Sequence, residues 1–443
     1  MATTQRDPVP DFLVDPEQRA VRYTIVSADD HVVEAPDTFV GRLPARLGDR
    51  APRLVELEVG TEVNRAHQGL PPIVAHKAGR QVWEYEGRIF AQVGLNAVVG
   101  HTDYAAERFE PTSFAEMRPG CFEAGARVRD MDLAGIWSSV NFPSSIAGFC
   151  GSVFSASDDK ELGHAVMRAW NDWMHDEWCA RYPKRFIGAG LTWLADPVLG
   201  AAEIRRNADR GFRAVTMPEL PHWLGYPEVH SGYWDPVLDA CEETDTALCL
   251  HVGSSGMLPL PPGGPRFEKN ITLFPAVSLL AATEWVWSGV LQRFPTLKIV
   301  MSEGGIGWVP MLLDRLDYIV DHAGKGGDLQ WAGELSPSEV LLRNFWFCML
   351  DDPSTLRILD RIGSDRVMME VDYPHSDSTW PDCQAVVERW ATDPGASLSG
   401  DEIADLTHRT AAGVFRAPLP PAGWVVGGMN TRAAALGERV GGP

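Results

Sequence analysis

The chain has 443 residues, of which 45% are hydrophobic and 22% charged, and its formal net charge is −21. That composition belongs to a soluble globule with a substantial core, and the acidic balance argues against a nucleic-acid footprint or a polybasic membrane anchor. The length suits one large α/β barrel with insertions, or two to three smaller domains.

The segment from Met1 to Pro16 is largely polar, with Pro8 and Pro10 and no apolar h-region, so it reads as an N-terminal arm over 1–20 and not as a signal peptide. Tyr23–Val26 is apolar and β-branched, which predicts a first strand running into Asp29, Asp30 and His31. Side chains two apart on a strand share a face, so Asp29 and His31 converge while Asp30 turns away. Residues 50–110 form a long insertion, with a hairpin over Gln81–Phe90 turning near Glu86 and Gly87.

Further strands are predicted at Ser138–Phe142, Ile187–Thr192, Ala214–Met217, Ala247–His251, Ile299–Ser302, Phe345–Cys348 and Val367–Glu370. Helical stretches lie between them, among them Lys160–Tyr182, Pro197–Arg210, Trp234–Glu243, Ala276–Arg293 and Pro353–Ile362. Eight strands in this alternation predict a (β/α)8 barrel over 21–415, with its site at the C-terminal ends of the strands. The Gly- and Pro-rich Gly253–Asn270 is a long loop of the kind that becomes a lid or pocket wall. The Pro-, Gly- and Ala-rich tail, 416–443, reads as a C-terminal arm.

No apolar run of about 18 residues occurs, so no membrane span is expected. Seven scattered cysteines without a C-x-x-C point to reduced thiols in a cytoplasmic protein. Sixteen tryptophans suit either ordinary core filling or a roomy pocket.

The strand ends carry the chemistry. The fourth ends on Glu219, the fifth on His251, the sixth on Glu303 with Gly304 and Gly305 behind it, and the eighth on Asp372, followed by His375 and Asp377. A charged group ending a buried strand is costly unless it is paired or bound to a metal. His230 is a weaker candidate. Arg118 and Arg129 suit salt bridges or caps better than a substrate carboxylate, and Ser254 and Ser255 lack triad spacing. There is no P-loop and no dinucleotide fingerprint, so no nucleotide cofactor follows.

Together, Asp29-x-His31, the His251 strand end, RFPTLKIV (293–300) running into Ser302–Gly305, VDYPH (371–375), RDMDLAGI (129–136) and NFPS (141–144) resemble the amidohydrolase superfamily. The resemblance is to its amidohydrolase-2 branch, which includes aminocarboxymuconate-semialdehyde and resorcylate decarboxylases, and it covers about residues 20–415. It implies a distorted, metal-bearing TIM barrel, a small-molecule substrate and association into homo-oligomers. By that resemblance Asp29 and His31 are first-strand ligands, His251 the fifth-strand ligand and Asp372 the eighth-strand aspartate. Glu303 stands where the decarboxylases carry a sixth-strand histidine, and the fourth strand offers Glu219 in place of a bridging lysine.

The expected metal set is therefore Asp29, His31, Glu219, His251, Glu303 and Asp372, with Asp372 and His375 as catalytic groups. Four carboxylates and two imidazoles suit iron or manganese and also accept zinc. This carboxylate-rich set resembles the family's non-haem di-iron monooxygenases, which favours hydroxylation of a bulky apolar molecule with O2. The alternative is a hydrolase of an amide, ester or lactone, with Asp372 as general base, or a non-oxidative decarboxylase, using one zinc or manganese.

Overall fold

A computed structural model describes residues 14–63, 72–91, 96–101, 112–256, 258, 260–261, 264–322, 331, 333–421 and 424. Most of the expected N-terminal arm and of the tail, and parts of the insertion and of the Gly- and Pro-rich loop, lie outside the described residues.

Eight strands form one parallel sheet in sequence order: β1 (Val26–His31), β2 (Ser138–Phe142), β3 (Phe186–Leu191), β4 (Ala214–Met217), β5 (Ala247–His251), β6 (Ile299–Ser302), β7 (Phe345–Met349) and β8 (Val367–Met369). Helices follow most strands, so the fold is the expected (β/α)8 barrel.

Alternation along each strand sorts its residues between two cores. Val26, Ala28, Val140, Ala189, Cys249, Val300, Cys348 and Met368 fill the barrel interior. Ile25, Leu248, Leu250, Ile299, Met301, Phe347, Val367 and Met369 pack outward in the larger core, with the helices. The seven cysteines are free thiols. Among the described residues no helix is long and apolar enough to cross a membrane.

Helix starts follow side-chain caps. Asp159 accepts from the backbone of Glu161 and Leu162 to open Lys160–Trp173, Asp196 does the same for Pro197–Asp209, and Ser336 with Glu339 forms a capping box. The predicted Ala276–Arg293 helix is two, Phe274–Trp287 and Val290–Arg293, divided at Gly289, whose φ is +75°. Pro353–Ile362 is likewise two short pieces, Pro353–Leu356 and Leu359–Arg361.

In the insertion, Arg80–Tyr85 and Arg88–Ala91 form the predicted hairpin. Glu86 and Gly87 take φ of +49° and +71°, the two consecutive left-handed residues that a tight two-residue turn requires. Further along, Val98 N and Val99 N donate to Pro374 O at 3.1 and 3.2 Å, so the insertion touches the loop after β8.

The first strand corrects the sequence reading most. β1 spans Val26–His31, later than Tyr23–Val26, because a one-residue bulge against β2 between Ser27 and Asp30 keeps the polar run paired. The seam between β1 and the end of β8 is closed by few bonds. Asp372 N donates to Asp29 O at 2.9 Å and His31 N to Tyr373 O at 2.6 Å. Side chains complete it, with Val371 N donating to Ser27 Oγ at 2.9 Å and Tyr373 N to Asp30 Oδ1 at 3.1 Å.

Replacing Ser27 with alanine strands the buried Val371 N–H, and unfolding by denaturant should show a loss on the order of 1–3 kcal/mol. A change within about 0.5 kcal/mol would mean that Ser27 does not hold the seam.

Candidate metal centre

At the C-terminal mouth of the barrel, β1 and β5 bring two imidazoles together at nearly right angles, with ring centroids 4.7 Å apart. His31 Nδ1 lies 3.1 Å from Pro143 O and His251 Nδ1 lies 2.7 Å from Val252 O. A carbonyl only accepts, so each ring carries its proton on Nδ1 and turns a bare Nε2 to the site. The two Nε2 atoms stand 2.9 Å apart. Two lone pairs at that separation repel unless a cation sits with them.

Asp29 completes the group. Its Oδ1 is 3.5 Å from His31 Nε2 and its Oδ2 is 3.5 Å from His251 Nε2. Both oxygens are buried without a hydrogen-bond donor, which a buried carboxylate rarely tolerates. A divalent cation fits this donor set, and the carbonyls behind the imidazoles supply the outer contacts that fix metal-binding histidines.

A second group shares no residue with the first. One ligand atom each from Glu303, Asp372, His375 and Asp377 lie within 4.8 Å of one another. His375 Nδ1 is 3.0 Å from Asp372 Oδ1, and its ring stacks on His31 with centroids 4.0 Å apart. The groups adjoin, with Glu303 Oε2 3.3 Å from His251 Nε2 and Asp372 Oδ1 3.7 Å from His31 Nε2. Asp372 Oδ2, too, is buried without a donor, and Oδ1 has only the His375 imidazole beside it.

Glu303 and Asp372 both sit on left-handed backbone, at φ +59° and +57°. Such strain in non-glycine residues persists where the surrounding structure enforces it, and it gathers at functional sites. Gly304 follows because a Cβ there would overlap Ser278 Oγ, and Gly305 because its own φ is +61°.

Five of the six predicted ligands thus meet at one mouth, with His375 and Asp377 beside them. Glu219 joins none of these groupings among the described residues. Its oxygens are taken by Gly253 N at 3.1 Å and Ser254 Oγ at 2.8 Å. His230 is largely exposed and faces Glu284 at 3.6 Å. Arg118 is a buried partner of Asp130 and Asp15, and Arg129 is exposed beside Asp15, in line with the salt-bridge roles expected of them.

Three residues escaped the sequence reading. Glu370 is buried and its Oε2 accepts from Glu303 N at 3.0 Å; its spacing of two from Asp372 was the available signal. Arg127 lies behind β1, donating to Gly120 O and His31 O, with its guanidinium 4.0 Å over the Tyr373 ring. Phe149 packs its ring against His31, His251 and His375. Nothing local in the sequence singles out these last two.

Burial is the largest influence on the buried carboxyls and imidazoles whose proton affinity moves here. It drives Asp29, Glu303 and Asp372 well above the usual carboxylate range, with neighbouring carboxylates adding to it. Glu219 and Glu370 are pushed to about 8, and Asp30 to about 6 despite Arg127. The imidazoles move the other way, His31 well below its ordinary value, His251 to about 3 and His375 to about 4. The fold prefers these groups neutral, and carboxylates held so want a compensating positive charge.

An eight-stranded barrel with carboxylates and imidazoles converging at its strand ends has the architecture of metal-dependent TIM-barrel enzymes. A family model described as Amidohydrolase matches residues 66–417, and the chain belongs to that family. It is 24% identical over 269 residues to a γ-resorcylate decarboxylase of Polaromonas sp. (strain JS666), covering 56% of this chain and 76% of that relative. Among solved structures it is similar to an amidohydrolase of Mycobacterium avium subsp. paratuberculosis K-10, with a TM-score of 0.67 and 20% identity, over 89% of this chain and all of that one. A dihydroxybenzoic acid decarboxylase of Polaromonas sp. JS666, with bound manganese and 2-nitroresorcinol, gives a TM-score of 0.57 at 16% identity, over 89% of this chain and 97% of that one.

Protons on the carboxyls compete with a cation, whereas the imidazoles are already neutral. Cation binding should therefore strengthen as pH rises and the carboxyls lose their protons. The gap in Tm between manganese-loaded and chelator-treated protein should widen from about pH 5 to about pH 8. A gap that stays flat or narrows would mean that these carboxyls do not bind the cation.

Proposed function

We propose that this chain is a metal-dependent, non-oxidative decarboxylase of a small carboxylic acid, with one divalent cation held by Asp29, His31 and His251 and flanked by Asp372. The observation that carries the cation is the pair of bare Nε2 atoms 2.9 Å apart beside the donorless carboxylate of Asp29. The reaction class is supported by the relatives, a γ-resorcylate decarboxylase and a manganese-bearing dihydroxybenzoic acid decarboxylase.

When bound, the cation would supply positive charge that holds and orients the acid's oxygens. The chain's own residues then manage the proton. The carbon that loses CO2 needs one, and Glu303 stands beside the cation seat, 3.3 Å from His251 Nε2. In this reading Glu303 delivers that proton, from the position where the decarboxylases it resembles carry a sixth-strand histidine. Asp372 orients His375 across their 3.0 Å contact, so the imidazole is placed to pass protons between Glu303 and the mouth.

One observation favours a second reading. Glu303, Asp372, His375 and Asp377 share no member with the first seat and could hold a second cation. Two ions side by side are what the oxygenase expected from the sequence requires, with iron as the metal and O2 as cosubstrate. Because the relatives named above include two decarboxylases and no oxygenase, that reading now stands second.

The experiment runs manganese-loaded protein anaerobically, and iron-loaded protein with O2, against a panel of hydroxybenzoic acids, measuring CO2, O2 uptake and metal content together. CO2 release without O2, about one metal per chain, and loss of both in His251→Ala are expected, with metal affinity lower by about 100-fold or more. Product formed only with O2 consumption, at about two irons per chain, would replace decarboxylation by the oxygenase.

A further inference from the structure

Phe149 lies on the loop after β2 and is half-buried. Its φ is +60°, and Gly148 and Gly151 beside it take +64° and +79°. A bulky side chain on left-handed backbone is uncommon, and it persists only where its surroundings fix it. Here Thr216 Oγ, from β4, donates to Phe149 O at 3.1 Å, and Cys150 Sγ contacts Ser254 O at 3.7 Å. The loop is therefore tied to β4 and to the turn after β5, on either side of the strained residue.

The strain places one ring against three imidazoles. Phe149 stacks on His251 with centroids 5.4 Å apart and planes 27° apart, and presents an edge contact to His31 at 5.4 Å and to His375 at 6.4 Å. Phe142, on β2, touches His31 and His251 too, at 5.7 and 5.3 Å, but is fully buried. The imidazoles thus have one fully buried aromatic support and one aromatic neighbour on a residue that is only half-buried. A support alone needs neither the exposure nor the strained backbone.

Resting on the decarboxylase reading above, we propose that Phe149 is a specificity-determining residue whose ring forms the wall of the acid-binding site and selects a flat, unsaturated carboxylic acid over a saturated one. A planar ring or conjugated chain stacks on the phenyl face while its carboxylate reaches the cation seat. A puckered saturated ring of similar size loses that stacking and keeps only the carboxylate contact.

Calorimetric titration of manganese-loaded full-length protein with benzoate and with cyclohexanecarboxylate tests this without knowing the natural substrate. Wild type should bind benzoate roughly three- to ten-fold more tightly. Phe149→Ala and Phe149→Leu should bring the two acids to near parity with manganese content unchanged, and Phe149→Tyr should keep the preference. Equal affinities in wild type, a preference that survives in Phe149→Leu, or failure of both acids to bind would overturn the role of Phe149 while leaving the cation seat standing. A wild-type chain that takes up no manganese would remove the underlying reading together with it.

Discussion

The closure of the barrel between its first and last strands governs the rest of the site. It is made by the same stretches of chain that supply the candidate ligands. Asp372 N donates to Asp29 O and His31 N to Tyr373 O, while Ser27 and Asp30 accept from the β8 side where backbone carbonyls do not reach. The barrel cannot close without bringing Asp29, His31 and Asp372 together. The bulge in β1 and the left-handed backbone at Asp372 are the local distortions that let a regular ladder end in converging side chains.

That convergence creates an electrostatic demand. Asp29, Glu303, Glu370 and Asp372 gather in one buried volume, and Arg127 already serves the carbonyls of Gly120 and His31 and the Tyr373 ring from behind β1. Its nearest approach to a carboxylate here is 3.9 Å, to Asp30. Carboxylates buried without a cation drift toward protonation or toward a metal. The bare Nε2 pair of His31 and His251 tips that choice toward the metal, because each imidazole's Nδ1–H donates to a backbone carbonyl.

Within the amidohydrolase family, the point of chemical interest is strand six. A glutamate there can serve as a proton carrier beside one cation or as a ligand to a second, and both uses are consistent with its place 3.3 Å from His251. The number of cations therefore decides the reaction class more directly than any single side chain. The placement of Glu219 narrows the question, since its carboxylate accepts from Gly253 N and Ser254 Oγ and, among the described residues, joins none of the groupings at the mouth.

Much of this was legible along the chain. Period-two alternation set which residues of each strand face the barrel interior, so His251, Glu303 and Asp372 could be read as strand-end groups, and β2, β4, β5 and β6 fell where expected. The first strand was misplaced because its bulged, polar run does not look like a strand. Local periodicity could not say which strand ends meet, since the Ser27 to Val371 bond joins residues 344 apart in sequence. Nor could it single out Arg127 behind the seam, Phe149 over the imidazoles, or the turn that withdraws Glu219. By itself the sequence determined the elements and the side each residue takes, because those depend on neighbours a few positions away. The tertiary structure alone decided which groups share the site, because that depends on closing a ring of eight strands.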